Sequence, residues 1–403
     1  MIATQTLAST ATLAPIAWAE PARERAFNAW LQGAATTHSL NAASVHLASA
    51  DASFRRYFRI DRHPVGSCII MDAPPDKEDC RAFVQVARLM AEAGLSAPRV
   101  LAWDQDAGFM LLSDLGAQTM MEAIAPPPSV DAIAQPSAAV FNLYSQATDA
   151  LVRWQLSSKP GVLPPYDDAL LSRELALFPE WYVGKHRAFV LNAAQQSVLD
   201  DAFKHIKVSN LESLGAARVF VHRDYMARNL MVEGITPTLV ASRTSLPPEG
   251  AHFPKGGLSE NFDTTSLAPH SLGILDFQDA VYGPITYDIA SLMRDAFLTW
   301  EEDFVLDITV RYWQKARKAG LPVGDDFGEF YRAVEWMGLQ RHLKILGIFA
   351  RLTLRDGKPK YLADTPRFIK YVRATAARYR QLGPLMVLLD AIEGNETRVG
   401  YTF

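Results

Sequence analysis

Short apolar runs and polar turns alternate through the first third of the chain, which is the pattern of β-strands. The predicted strands are 44–50, 55–60, 67–73, 99–103 and 108–116. A segment between the third and fourth strands instead repeats its apolar residues at helical spacing: Phe83, Val86, Ala87, Met90 and Ala93. A further helix is predicted from Pro21. Because helices do not alternate with each strand, the pattern favours a small α+β lobe over a doubly wound parallel sheet.

The rest of the chain is mostly helical, after a linker at 125–138 that is rich in Pro and Ala. A segment at 234–271 shows no sustained period and carries several Pro and Gly residues, which indicates a flexible insertion. We therefore predict a disordered tail at 1–20, an N-lobe at 21–116 and a larger helical C-lobe at 117–403. This outline is that of a bilobal, protein-kinase-like α+β fold.

Composition narrows the classes of partner. Hydrophobic residues make up 49% of the 403 positions, and the chain has 40 basic and 44 acidic residues. No basic excess points to nucleic acid or to a membrane, and no protein partner is evident. The two cysteines, Cys68 and Cys80, form neither a disulfide framework nor a zinc spacing. The first twenty residues lack the basic start of a secretory signal, so we expect a cytoplasmic protein.

One polar loop lies between two short apolar runs of the helical part, in the segment FVHRDYMARNLMV at 220–232. In it, His222-Arg223-Asp224 is followed by four residues and then by Asn229. This spacing is typical of a phosphoryl-transfer loop, in which the Asp orients an acceptor hydroxyl and takes its proton and the Asn holds magnesium. The alternative is a polar hairpin whose Asp and Asn satisfy backbone groups.

A second acidic segment favours the phosphoryl-transfer interpretation. A strand-like run after the insertion ends at Asp276, which we expect beside Asn229 as the second magnesium ligand. Asp279 could add a further contact near the metal. Asp288 precedes an apolar helix, where an acidic residue complements the helix dipole and could also brace the catalytic loop.

The motifs HRDYMARN and ILDFQDAVYGPITYDIASL together resemble the aminoglycoside phosphotransferase family, kinase-like enzymes that phosphorylate hydroxyls of small molecules. The resemblance covers most of the chain from about residue 40. It implies ATP and magnesium as cofactors, Asp224 as the catalytic base, Asn229 and Asp276 as magnesium ligands, and Asp288 as support for the loop.

Other segments, among them DASFRRYFR, ELALFPEWYV and QRHLKILGIFARL, resemble bacterial kinases of the anomeric hydroxyl of N-acetylmuramate and N-acetylglucosamine. That resemblance implies an amino-sugar substrate and a role in peptidoglycan recycling. Two other functions stay open: an aminoglycoside or other small-alcohol phosphotransferase, and a non-catalytic nucleotide-binding regulator. The basic residues at 185–187 argue against a pocket for a polycation.

The nucleotide contacts of the N-lobe depart from the kinase pattern. The turn ASADASFRRYF has no glycine, so Ser53, Arg55 and Arg56 are candidates to bind phosphate oxygens, although the arginines could also form a solvated strand face. The third strand has no lysine where kinases carry one. Backbone near Asp114 and Gly116 is the candidate for the adenine edge.

The acceptor pocket is expected among the C-lobe helices. Too few residues separate Asp276 from Asp288 for an activation segment, which disfavours protein substrates. Glu174 and Trp181 are the candidates, since a carboxylate can hold sugar hydroxyls and an aromatic face can cover a sugar ring. The alternative is that Trp181 is part of the core and Glu174 is solvated.

Overall fold

The computed structural model describes residues 16–50, 54–124, 136–232 and 272–394. The chain separates into two compact units: one comprises residues 1–91 and 97–116, and the other comprises 92–96 and 117–403. The division falls at Gly116, where the sequence places the end of the N-lobe. Ser53 and the insertion at 234–271 lie outside the described residues, as do the first fifteen residues of the chain.

The first unit is built on one five-stranded antiparallel sheet with the order β1-β2-β3-β5-β4. Its strands are β1 His46–Ala50, β2 Arg56–Asp61, β3 Ser67–Asp72, β4 Val100–Asp104 and β5 Phe109–Ser113. Its helices are α1 Pro21–His38 and α2 Arg81–Glu92. The predicted order of three strands, one helix and two strands is confirmed. Aromatic residues Phe27, Phe58 and Phe109 fill the core between α1 and the sheet.

A buried ion cluster ties α1 to the sheet. The carboxylate of Asp72 accepts hydrogen bonds from the guanidinium groups of Arg23 and Arg56, each with a closest distance of 2.5 Å. Arg56 also lies 4.0 Å from the ring centroid of Trp18, which packs against Phe27. The prediction of a disordered tail is therefore wrong for residues 16–20, because Trp18 finds an apolar and cationic surface that the sequence pattern does not reveal.

The second unit is largely helical, and none of the described helices is long and apolar enough to cross a bilayer. The described α-helices, numbered on from the first unit, are α3 Met120–Ile124, α4 Ala138–Leu156, α5 Asp168–Leu177, α6 Ala193–Ala216, α7 Thr286–Met293, α8 Glu302–Lys318, α9 Phe327–Leu354, α10 Thr365–Arg378 and α11 Gly383–Glu393. A π-helix at Phe178–His186 continues α5. Short 3₁₀ turns occur at Ala42–Ser44, Ala227–Asn229, Pro359–Asp364 and Arg380–Leu382. The backbone of α6 leaves helical geometry at Ser213–Gly215.

In the part of this unit that the structure describes, four short strands carry the polar loops. They are β6 Arg218–Val221, β7 Leu230–Met231, β8 Gly273–Ile274 and β9 Val281–Pro284. Strands β6 and β9 pair with each other, and so do β7 and β8, all antiparallel. The loop that follows β6 is thus not a hairpin, since its two flanking strands belong to different pairs. This pairing places residues 222–229 next to residues 275–280.

Two glycines allow close approaches around these strands. A Cβ at Gly283 in β9 would lie 2.6 Å from the Cβ of Tyr166. A Cβ at Gly347 in α9 would lie 2.3 Å from the carbonyl oxygen of Leu177, at the junction of α5 and the π-helix. Real Cβ atoms do not tolerate such distances, so glycine at these positions lets α5, α9 and β9 pack tightly.

Candidate active site

The loop from His222 to Asn229 is fixed at its start by a buried histidine. Nε2 of His222 lies 2.9 Å from the carbonyl oxygen of Leu275, and the backbone N–H of Asp224 donates to Nδ1 at 3.2 Å. Because Nδ1 accepts, the ring proton sits on Nε2, which donates to Leu275. Burial lowers the pKa of His222, so the ring stays neutral and keeps these two bonds.

Asn229 joins the two loops. Its Nδ2 donates to the carbonyl oxygen of Asp224 at 2.8 Å and lies 3.3 Å from Oδ2 of Asp276. The backbone N–H of Leu275 donates to the carbonyl oxygen of Asn229 at 2.9 Å. Asp276 adopts a φ of 63°, a left-handed conformation that Asp tolerates better than most residues. The structure therefore brings together Asp224, Asn229 and Asp276, as their spacing predicts.

The chemistry of these groups fits magnesium. Among the described residues, no group of three or more His, Cys, Asp or Glu side chains is arranged to hold a metal ion. Magnesium needs no such cage, because one or two protein oxygens suffice when nucleotide phosphates and water complete the octahedron. The carboxylate of Asp276 and the amide oxygen of Asn229 supply that pair. Gln278 orients Asp276, since its Nε2 donates to Oδ1 at 2.9 Å.

Two buried carboxylates hold the loop from the side of α7. Oδ2 of Asp288 accepts from the backbone N–H of His222 at 2.7 Å, and Oδ1 accepts from that of Arg223 at 3.0 Å. Beyond the other end of α7, Asp295 accepts from the N–H groups of Ala227 at 3.2 Å and Phe297 at 2.7 Å. Burial raises the pKa of both carboxyl groups. Asp288 thus bonds to the backbone of the loop, as we expected, and Asp295 holds the loop at a second point.

The surroundings of Glu174 do not fit the predicted role of holding sugar hydroxyls. Glu174 is 4% exposed, and its carboxylate already accepts from four donors within the chain. Those donors are Arg223 at 2.6 Å, Tyr166 at 2.7 Å, Lys344 at 2.8 Å and Gln340 at 2.9 Å. A carboxylate saturated in this way has no free lone pair directed at a sugar hydroxyl. Glu174 instead anchors Arg223 in the loop from His222 to Asn229.

Trp181 lies in the π-helix, two turns beyond Glu174, and is half-buried. Nζ of Lys185 is 3.4 Å from its ring centroid, and Lys185 pairs with Glu180 at 2.9 Å. π-Helical segments are rare and often occur at functional sites. Contact between Trp181 and an acceptor stays a prediction.

The N-lobe candidates for ATP make contacts within their own unit. Arg56 belongs to the Asp72 cluster, and Arg55 lies 3.5 Å from Glu78. Asp114 accepts from Arg59 at 2.6 Å and from Ser67 at 2.6 Å. Burial alone would raise the pKa of Asp114, but these two bonds outweigh it and lower the pKa.

Gly116 shares the same turn. Its N–H donates to Oδ1 of Asp114 at 3.0 Å, its carbonyl oxygen accepts from Arg59 at 2.7 Å, and its φ is 99°. These two hydrogen bonds tie the turn to Asp114 and Arg59. Asp279 is exposed, and its carbonyl oxygen lies 3.4 Å from Nη1 of Arg223. Roles in nucleotide or metal binding for Arg55, Arg56, Asp114, Gly116 and Asp279 stay predictions.

Four residues of the site escape sequence reasoning: Gln278, Asp295, Arg341 and Lys344. Arg341 Nη1 donates to the carbonyl oxygen of Arg223 at 2.7 Å, and Lys344 reaches Glu174. A signal exists for the last two, because both sit inside the stretch MGLQRHLKILGIFA of α9, where Gln340 and His342 are the other polar residues and the rest are apolar or Gly. Ionisable residues on a buried helix need partners, and the partner can be sought among acidic residues elsewhere.

The chain is similar to known phosphotransferases. The family described as "Phosphotransferase enzyme family" matches residues 44–241 and 263–326. Over 375 residues the chain is 41% identical to an N-acetylmuramate/N-acetylglucosamine kinase of Neisseria meningitidis, covering 93% of this chain and 97% of the relative. A kinase of the same name from Pseudomonas aeruginosa is 43% identical over 348 residues, covering 86% and 87%.

Solved structures agree on the fold. An ethanolamine kinase of Plasmodium vivax has a TM-score of 0.52 at 10% identity, covering 90% of this chain and 96% of its own. An amicoumacin kinase in complex with AMP-PNP and Ca²⁺ has a TM-score of 0.52 at 15% identity, covering 86% and 93%. The predicted kinase-like fold, with an antiparallel sheet before a helical region, is confirmed.

Proposed function

Because the chain belongs to the phosphotransferase enzyme family, we propose that it is an ATP-dependent kinase of the anomeric hydroxyl of N-acetylmuramate, N-acetylglucosamine or both. The observation that carries the proposal is the junction of Asp224, Asn229 and Asp276 through the side chain of Asn229. Support for the sugar comes from the two bacterial kinases with 41% and 43% identity. A place in peptidoglycan recycling follows from that substrate.

In this mechanism, Asp224 accepts a hydrogen bond from the anomeric hydroxyl and aligns its oxygen with the γ-phosphorus. The oxygen–phosphorus bond to the sugar forms as the bond to the leaving ADP oxygen breaks, and Asp224 takes the proton late. An anomeric hydroxyl is more acidic than an ordinary alcohol, so a carboxylate suffices as the base. Asn229 and Asp276 would hold magnesium, which neutralises charge on the phosphates when bound.

The positions of these groups depend on the fold around them. His222 and Asp288 fix the backbone before Asp224, and Gln278 fixes the carboxylate of Asp276. Pre-aligned groups need no reorganisation during the reaction, which is how a positioned loop accelerates transfer.

The experiment that tests the function measures ADP release with ATP, Mg²⁺ and a panel of amino sugars, followed by phosphorus NMR of the product. We expect N-acetylmuramate, N-acetylglucosamine or both to yield a 1-phosphate and to lose the reducing end. The methyl glycoside of N-acetylglucosamine is the matched control, since its anomeric oxygen is blocked and it should not react. A 6-phosphate with an intact reducing end would overturn the anomeric assignment.

The metal assignment predicts the behaviour of Asp276→Ala. This variant should lose at least about tenfold in affinity for Mg-ATP, because half of the protein's ligand pair is gone, while metal-free ATP should bind almost as before. Isothermal titration with Mg²⁺ and with a chelator separates the two. Equal affinity of wild type and variant in the presence of Mg²⁺ would reject the ligand role.

A further inference from the structure

The residue directly before Asp224 has an unusual backbone. Arg223 adopts a φ of 78°, in the left-handed region that favours glycine. A large side chain is seldom found there, because its Cβ crowds the backbone. Such a conformation persists only where surrounding contacts over-determine it, and it tends to occur at functional sites. The question is which contacts hold Arg223.

The backbone of Arg223 and both terminal nitrogens of its guanidinium have partners within the chain. Its N–H donates to Asp288 at 3.0 Å, and its carbonyl oxygen accepts from Nη1 of Arg341 at 2.7 Å. Its Nη2 donates to Oε1 of Glu174 at 2.6 Å, and Nη1 lies 3.4 Å from the carbonyl oxygen of Asp279. The guanidinium is thus fixed by α5, the N–H by α7 and the carbonyl by α9.

Glu174 is itself a rigid support. Lys344 shares Oε1 with Arg223, whereas Tyr166 and Gln340 donate to Oε2. Although burial opposes ionisation, Lys344 and Arg223 bring the pKa of Glu174 to about 2, so the carboxylate is charged at neutral pH. Tyr166 can reach it because Gly283 leaves room for the tyrosine beside β9.

We propose that Glu174 is a positioning residue: through Arg223 it holds the left-handed turn of the catalytic loop and thereby sets the direction of Asp224. Glu174 does not touch the substrate in this proposal, in contrast to the role that the sequence indicates. The inference rests on the proposed function, since Asp224 matters only if it receives the acceptor proton.

The test compares Arg223→Gly with Arg223→Ala. Glycine adopts the left-handed turn without support, whereas alanine keeps the steric cost and loses the anchor. We expect Arg223→Ala to lose about 100-fold in kcat, as a misplaced catalytic group does, and Arg223→Gly to lose no more than about tenfold. KM for ATP should change little in either variant. If Arg223 instead contacted the substrate, both variants would lose the same activity, and that result would overturn the proposal.

Glu174→Gln extends the test. It should lower kcat per folded molecule by roughly 10- to 100-fold, and by clearly less in the Arg223→Gly background, because contacts that act in series are not additive. Asp168→Asn is the matched control: it makes the same change on the same helix, at an exposed carboxylate paired with Lys207 at 2.7 Å. The control should leave kcat unchanged. An equal loss from Glu174→Gln in both backgrounds would contradict the positioning role.

Failure of the proposed function looks different. A wild-type protein without turnover on any amino sugar would reject that function. The role of Arg223 in holding the turn would then be tested by thermal unfolding of the variants. Arg223→Gly should melt at a higher temperature than Arg223→Ala, since only glycine relieves the turn. A lower melting temperature for the glycine variant would show that Arg223 is not held against its conformational preference.

Discussion

Two clusters of the molecule share one feature, a buried carboxylate that pairs with two cationic side chains. In the N-lobe, Asp72 binds Arg23 and Arg56, and its side chain is 1% exposed. In the C-lobe, Glu174 binds Arg223 and Lys344, and its side chain is 5% exposed. The remaining contacts of the cations differ between the two.

The further hydrogen bonds of the cations in the Asp72 cluster go to backbone carbonyl groups. Arg23 donates to the carbonyl oxygens of Ala107 and Gly108, and Arg56 donates to that of Ala17. The cluster therefore fastens α1 and the segment before it to the sheet. In the Glu174 cluster, Arg223 is covalently adjacent to Asp224. The same chemistry stabilises the fold in one region and sets the direction of a functional group in the other, so only the neighbours of the cations distinguish them.

The largest effect that separates the two regions is expected at Asp224. Asp224→Asn should reduce turnover by about 1,000-fold, the order of a lost general base, while ATP affinity and thermal stability change little. Coupled assay of ADP release, nucleotide titration and calorimetry check the three quantities. Turnover near the wild-type value would show that Asp224 is not the base. The Glu174 cluster would then have no catalytic group to position, and both clusters would serve only the stability of the fold.

A smaller effect of a different kind is expected in the N-lobe. Asp72→Asn should lower the free energy of unfolding by about 2 kcal/mol, less than a fully buried pair would cost because the two arginines keep partial access to water. Turnover per folded molecule should stay within about twofold, since the cluster fastens the fold. Denaturant titration and active-site-normalised kcat measure both quantities.

Asp79→Asn is the control for that variant. Asp79 also pairs with an arginine, Arg81 at 2.7 Å, but the pair is exposed, so stability should not change measurably. A loss of kcat per folded molecule in Asp72→Asn would mean that the Asp72 cluster also acts on catalysis, which would break the comparison.

The smallest effect concerns pH. The pKa of Glu174 falls from an ordinary 4.5 to about 2: burial opposes the shift, but the attraction of Lys344 and Arg223 outweighs it. Between pH 4.5 and 2, Glu174 is protonated in the unfolded chain but ionised in the folded chain. The stabilisation from ionised Glu174 is therefore complete above pH 4.5 and is lost as the pH falls toward 2. The destabilisation caused by Glu174→Gln should therefore shrink below pH 4.5, by at most about 1.4 kcal/mol per pH unit. Urea titrations at pH 6, 4.5 and 3.5 measure it, and a constant difference would show that folding does not lower the pKa of Glu174.

The sequence by itself determined the order of strands and helices in the N-lobe and predicted that Asp224, Asn229 and Asp276 come together. Hydrophobic periodicity shows which face of an element is buried, and the spacing of Asp224 and Asn229 lies within one loop. Both can therefore be recognised in the sequence. The spacing also indicated that Asp276 would follow a strand beside Asn229, as the pairing of β7 with β8 shows.

Only the tertiary structure determined the partners of Glu174 and Trp18 and those of the arginines in the two clusters. An acidic residue on a helix looks the same in sequence whether it faces a sugar, water or a buried Lys344 from 170 positions away. The left-handed turn at Arg223 is equally invisible, because a non-glycine residue gives no local sign of strain that distant contacts support. Spacing along the chain identifies groups that act within one loop, whereas partners brought together from separate helices are determined by packing.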